Sequence, residues 1–126
     1  MFTKTLNRLP IKIQDTLTNS KLVDSFICSI KTSFKPNATI PILWIVISNN
    51  KFILCNTHKT RGITSVYNFD EINCIKDIKS SGNIHSIKVI FNDLDTEDLV
   101  LPLSDKLSND EILIFLSECS KLNIIH

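Results

Sequence analysis

From Leu22 onward the chain is cut into short runs of β-branched, aliphatic and aromatic residues separated by Asn, Ser, Asp and Gly, and this punctuation constrains the fold more than any other feature. The runs are Leu22–Ser33, Pro41–Ser48, Lys51–Asn56, Thr64–Phe69, Ile72–Lys79, Ile84–Phe91 and Asp98–Leu103. Such composition and length are the strand signal, and connections of mostly hairpin length predict an antiparallel meander. Asn49-Asn50 suits a tight turn because Asn tolerates the left-handed conformation, and Ser81-Gly82-Asn83 plays the same part further on. The second run, Ile-Leu-Trp-Ile-Val-Ile, is apolar on both faces, whereas a strand covering one core needs only one apolar face.

Two helices frame the strands. Ser108 as N-cap with Glu111 three residues on forms a capping box, and Leu107 can meet Ile112 as a hydrophobic staple. The apolar residues Ile112, Phe115, Leu116, Cys119 and Leu122 then make one continuous helical stripe. A helix with such a stripe must cover something, and a small β-barrel with one open end fits. Near the N-terminus, Pro10 suits a first helical position, and Ile13 and Leu17 share one face of a short helix over residues 10–17. The predicted organisation is a helical arm over residues 1–20 and a domain over residues 21–126.

With 126 residues, 43% hydrophobic and only two glycines, the chain suits one domain with a real core and excludes collagen-like and disordered classes. The net charge of +1 provides no general attraction for nucleic acid, although residues 1–69 carry +7 and residues 70–126 carry −6. Cys28, Cys55, Cys74 and Cys119 are widely spaced without a C-x-x-C, and no apolar signal segment opens the chain, so a reduced, cytoplasmic setting is expected. The longest apolar run, Ile42 to Ile47, is far short of the roughly 20 residues of a membrane-spanning helix.

Seven short antiparallel strands followed by one amphipathic helix is the order of the pleckstrin-homology (PH) superfold, and the local phrases resemble those of bacterial PH-like domains. PILWIVISNNKFILCN resembles their hairpin of apolar strand, Asn-turn and strand. SVYNFDEINCIK resembles their step through an acidic residue into the next strand, and LVLPLSDKLSNDEILIFLSECSKL their last strand running into the closing helix. The segment LPIKIQDTL looks like the helix that precedes the barrel. Together the likeness spans residues 10–122. Eukaryotic PH domains carry a Trp in the closing helix, whereas the only one here is Trp44. The resemblance implies a mainly β fold, a seven-stranded antiparallel barrel closed by the C-terminal helix. It also implies an open rim where loops after the first, third and sixth strands gather and where lipid-binding members hold inositol phosphates. Lys31, Lys35, Lys59 and Arg61, with Thr57, His58 and Thr60 as further donors, are the candidate anion-binding residues. The connection containing Asp93, Asp95, Glu97 and Asp98 would bring opposing charge to that rim.

Other chemistry finds little support in the residues. Cys55-x-x-His58 lacks the second half of a metal site and the third group of a catalytic pair, so neither a metal nor a catalytic residue is expected. No Gly-rich phosphate loop, H-E-x-x-H or G-x-S-x-G occurs, and no enzymatic activity or cofactor is predicted. The surplus apolar face of the second run needs a cover, either residues 1–20 or another chain, and Leu43, Trp44 and Ile45 are the candidate protein-interface residues. An open edge at the fifth strand would add a site for a partner strand. The expected function is non-catalytic protein interaction or self-assembly, with peripheral attachment to acidic lipid headgroups through the basic loops as the alternative.

Overall fold

The computed structural model describes residues 1–35, 41–48, 50–58, 62–79 and 84–121. Each of the seven runs yields a strand, and Phe2–Thr3 adds an eighth ahead of them. In chain order the elements are β1 (Phe2–Thr3), α1 (Ile11–Asn19), β2 (Cys28–Lys31), β3 (Trp44–Ser48), β4 (Lys51–Cys55), β5 (Ile63–Asn68), β6 (Ile72–Lys79), β7 (His85–Phe91), β8 (Leu99–Pro102) and α2 (Asn109–Lys121). They form two antiparallel sheets, β1-β2-β3-β4-β5 and β6-β7-β8. Asn50 takes φ 57°, the left-handed conformation expected of an Asn turn. Asn49 and Ser81-Gly82-Asn83 lie outside the described residues.

The expected closed barrel is not what the strands make. Among the described residues the sheets meet through one isolated bridge, Thr32 with Leu103, reinforced by the Ser33 N–H donating to the Pro102 carbonyl at 2.8 Å. At the opposite corner β5 does not pair with β6. The chain turns there through a 3-10 segment, Phe69–Glu71, locked by Asn68 and Glu71 in a reciprocal capping box. That turn takes β6 out of the first ladder, so the sheets share a core without sharing a continuous set of backbone bonds.

The apolar character of β3 on both faces has a direct structural cause. Leu43, Ile45 and Ile47, with Phe52 and Leu54 of β4, point into the main core shared by both sheets and α2. Trp44, Val46, Ile53 and Cys55 point the other way, into a second core closed by Leu9, Ile13 and Leu17 and flanked by Leu6, Leu22, Val23 and Phe26. Helix α1 is thus the cover of the sheet's outer face. It begins one residue later than expected, because Pro10 has an extended ψ of 142° and serves as N-cap, its carbonyl accepting from the Ile13 and Gln14 amides at 2.9 and 3.0 Å.

Helix α2 starts where the capping box places it. The Glu111 N–H donates to Ser108 Oγ at 3.1 Å, the Ser108 N–H donates to Glu111 Oε1 at 3.3 Å, and Leu107 and Ile112 are both buried. Ile112, Phe115 and Cys119 enter the main core with Leu116 at its margin, while Leu122 is outside the described residues. The N-terminus is tied to this helix: the Phe2 N–H donates to Glu111 Oε2 at 2.8 Å, and Lys4 Nζ lies 2.9 Å from Glu118 Oε1. Lys121 reaches the same carboxylate oxygen at 3.2 Å, which satisfies an acid that is 8% exposed.

Candidate functional site

Leu43, Trp44 and Ile45 do not form an exposed surface. Their exposures are 2%, 5% and 0%, with Trp44 covered by α1 and Leu43 and Ile45 turned into the main core. The reason is the double-sided burial of β3: the surplus apolar face is consumed by residues 6–26 of the same chain.

The candidate anion-binding residues divide. Lys31 ends β2 opposite Trp44, with Nζ 5.8 Å from the indole centroid, so its cation is already engaged by an aromatic face. Lys35 is exposed, and Lys59, Thr60 and Arg61 lie outside the described residues. Beside them the Asn56 side chain forms a rigid corner, accepting from the His58 N–H at 2.7 Å and donating to Thr64 Oγ1 at 3.2 Å. The acidic connection is elsewhere. The Asn92 N–H donates to the Glu71 carbonyl at 3.0 Å and its side-chain amide to the Asp70 carbonyl at 2.6 Å, which fixes residues 92–98 at the far end of β5 from Asn56 and Gly62. The acidic connection therefore sits at the opposite end of the six-residue β5 from Gly62, roughly 17 Å along the strand, and away from Lys31, which pairs with Trp44 beside Cys55.

Cys55 is buried in the second core, and burial pushes its thiol up to about 12, which keeps it protonated at neutral pH and unfit as a nucleophile beside His58. No group of three metal-ligating side chains occurs among the described residues. No helix among them is long and apolar enough to cross a membrane.

A different surface emerges along β6. This strand is the outermost of the second sheet, pairing with β7 alone among the described strands, so alternate backbone N–H and C=O groups on its other side lack a ladder partner. Its first half is anchored in the core by Ile72, Cys74 and Ile75, while Lys76, Asp77, Ile78 and Lys79 are all exposed. Helix α2 runs beside this edge. Between them lies a groove of about 570 Å³, floored by Ile75 and walled by Leu113, Leu116, Ser117 and Ser120, and a smaller hollow of about 200 Å³ continues it past Lys79 and His85. Leu113 on the wall of the groove is 61% exposed, and outside its lining Ile114 is 45% and Ile78 36% exposed, apolar surface that the core does not use. At the rim, His85 Nδ1 lies 2.9 and 3.0 Å from the two carboxylate oxygens of Asp77, which holds that acid on the strand.

From the sequence, an open fifth strand, which is β6, is one condition for strand addition, and none of its residues is selected. A signal was present: in Glu-Ile-Leu-Ile-Phe-Leu, residues 111–116, Leu113 and Ile114 overshoot the stripe that one buried helix face requires. Compared with known proteins, the chain matches no family model, no curated protein and no solved structure.

Proposed function

We propose that this chain is a non-catalytic protein-interaction module of PH-like architecture that binds an extended segment along β6. The observation that carries this function is the unpaired β6 edge lying beside the exposed apolar side of α2. An added strand would gain main-chain hydrogen bonds from the edge, and alternate side chains of that strand would fall toward Leu113 and Leu116. Lys76 and Lys79 favour a segment carrying carboxylates. The order of seven strands and a closing helix supports the PH-like assignment, with β1 as an addition at the sheet edge and α1 as an outer layer.

The test is selection of a displayed library of random octapeptides against the intact protein, followed by amide-shift mapping of the binders. Binders that shift Lys76–Lys79 and Leu113–Ser120 are the expected outcome. The competing membrane attachment is checked with phosphatidylglycerol vesicles at two salt strengths. Salt-sensitive vesicle binding that broadens Lys31 and Lys35, with peptides leaving β6 unmoved, would replace the peptide function by the lipid one.

A further inference from the structure

Resting on the β6 edge as the binding site, we infer that one occupant is the β6 of a second copy, paired antiparallel about a two-fold axis at Ile78. Charged residues on an edge strand ordinarily block pairing with a neighbour. Here their order makes them selective. A two-fold axis perpendicular to an antiparallel pair places one residue opposite its own copy and its flanking residues opposite each other's counterparts. Centred on Ile78, the pairing sets Ile78 against Ile78 and Asp77 against Lys79 in both directions, so one apolar pair is flanked by two opposite-charge pairs. Centred one residue earlier, Asp77 would face its own copy, and centred on Lys76 or Lys79, two ammonium groups would meet. Ile72 and Ile75 enter the core and Cys74 between them is buried, which leaves Lys76–Lys79 as the accessible half. Only one of the four centres within reach therefore avoids a like-charge contact, and it is also the one that covers an exposed isoleucine.

The neighbouring side chains agree with this register. His85 holds Asp77 from the β7 side at 2.9 Å, so the carboxylate is already oriented on the strand, and its side chain stays 25% exposed. The arrangement is isologous and closed. It consumes both edges at once, which gives a dimer rather than an open fibre.

Three measurements test it on the full chain. Light scattering and sedimentation over a wide concentration range should show a monomer–dimer equilibrium. Lys79→Asp turns both opposite-charge pairs into like-charge pairs and should weaken the dimer by at least about tenfold, whereas Asp77→Lys with Lys79→Asp restores it. Ile78→Cys should form an intermolecular disulfide under mild air oxidation, because opposed Cα atoms in an antiparallel pair are about 4.5 to 5.5 Å apart and within disulfide reach. Val100→Cys on β8, a position more exposed than Ile78, should not. The fold of each variant is checked by the emission of Trp44. A dimer indifferent to the charge exchange and not cross-linked at position 78 overturns the register. A monomer at every concentration overturns self-pairing, and octapeptide binding mapped to β6 would show that the edge still takes a strand from another protein. Absence of both would overturn the edge as a site.

Discussion

The contact of Gly62 with Thr16 provides the sharpest test of how the outer face of the first sheet is covered. Gly62 follows the β4–β5 loop, accepts the Asn56 N–H through its carbonyl at 2.7 Å and lies directly under α1. A Cβ placed there would overlap Thr16 Oγ1, with Thr16 Cγ2 at 2.6 Å and Thr16 Cβ at 3.0 Å. These atoms belong to a short branched side chain whose hydroxyl donates to the Lys12 carbonyl at 2.8 Å, so it cannot swing clear cheaply and α1 must shift. Overpacking of this kind costs about 1 to 3 kcal/mol, while Gly→Ala recovers about 0.4 to 1 kcal/mol through the unfolded chain. Gly62→Ala should therefore destabilise by about 1.3 kcal/mol, the difference between the middles of those two ranges. Thr16→Ala removes two of the three obstructing atoms, so the double variant should be more stable than the sum of the single effects implies by at least about 0.5 kcal/mol. Urea unfolding followed by Trp44, the only tryptophan and a member of the core beneath α1, reads this directly. Strict additivity of the two substitutions would refute the docking of α1 over Gly62.

Three further expectations follow from the same packing. Trp44→Ala should cost about 3 to 5 kcal/mol in denaturant unfolding and leave the oligomeric state unchanged; a stable variant with altered mass would return Trp44 to an interface. Ser108→Ala should lower stability by about 0.5 to 2 kcal/mol through loss of the N-cap, and an unchanged melting curve would contradict the bond from the Glu111 amide. The hydrogen bond from Lys4, helped by Lys121, holds the Glu118 carboxyl below its usual value of 4.5 despite the opposing effect of burial. A depressed folded pKa contributes stability that is present above pH 4.5 and lost as pH falls through the folded value. Acid titration of stability should accordingly show a shallower loss in Lys4→Met than in the parent, and parallel curves would exclude the pair as a contributor.

Local chemistry was legible wherever its cause is local. The capping box at Ser108 and Glu111, the staple of Leu107 and Ile112 and the Asn50 turn depend on residues within a few positions of one another, and each stands where the sequence puts it. Strand β1 was missed because two residues carry no periodicity; they become a strand only because the edge of β2 is there to pair with Phe2 and Thr3. The position of the acidic connection was misread for a similar reason. Its charges are plain in the sequence, but its place is set by Asn92 bonding to residues 70 and 71 across the β5–β6 corner.

The order of strand-forming runs and the two amphipathic helices were determined by the sequence alone, because alternation, capping and turn preference act over a few residues. Which apolar face is core and which is surface was decided only in three dimensions. Leu43, Trp44 and Ile45 look like a surplus along the chain, and they are buried because two layers, α2 with the second sheet and α1 with residues 6–26, close on opposite sides of one strand. Leu113 and Ile78 look no more apolar than those residues, and they remain exposed because β6 leaves the first ladder at the Asn68–Glu71 turn and α2 stands beside its edge without pairing with it. Burial is a property of what packs against a residue, and that partner is distant in sequence.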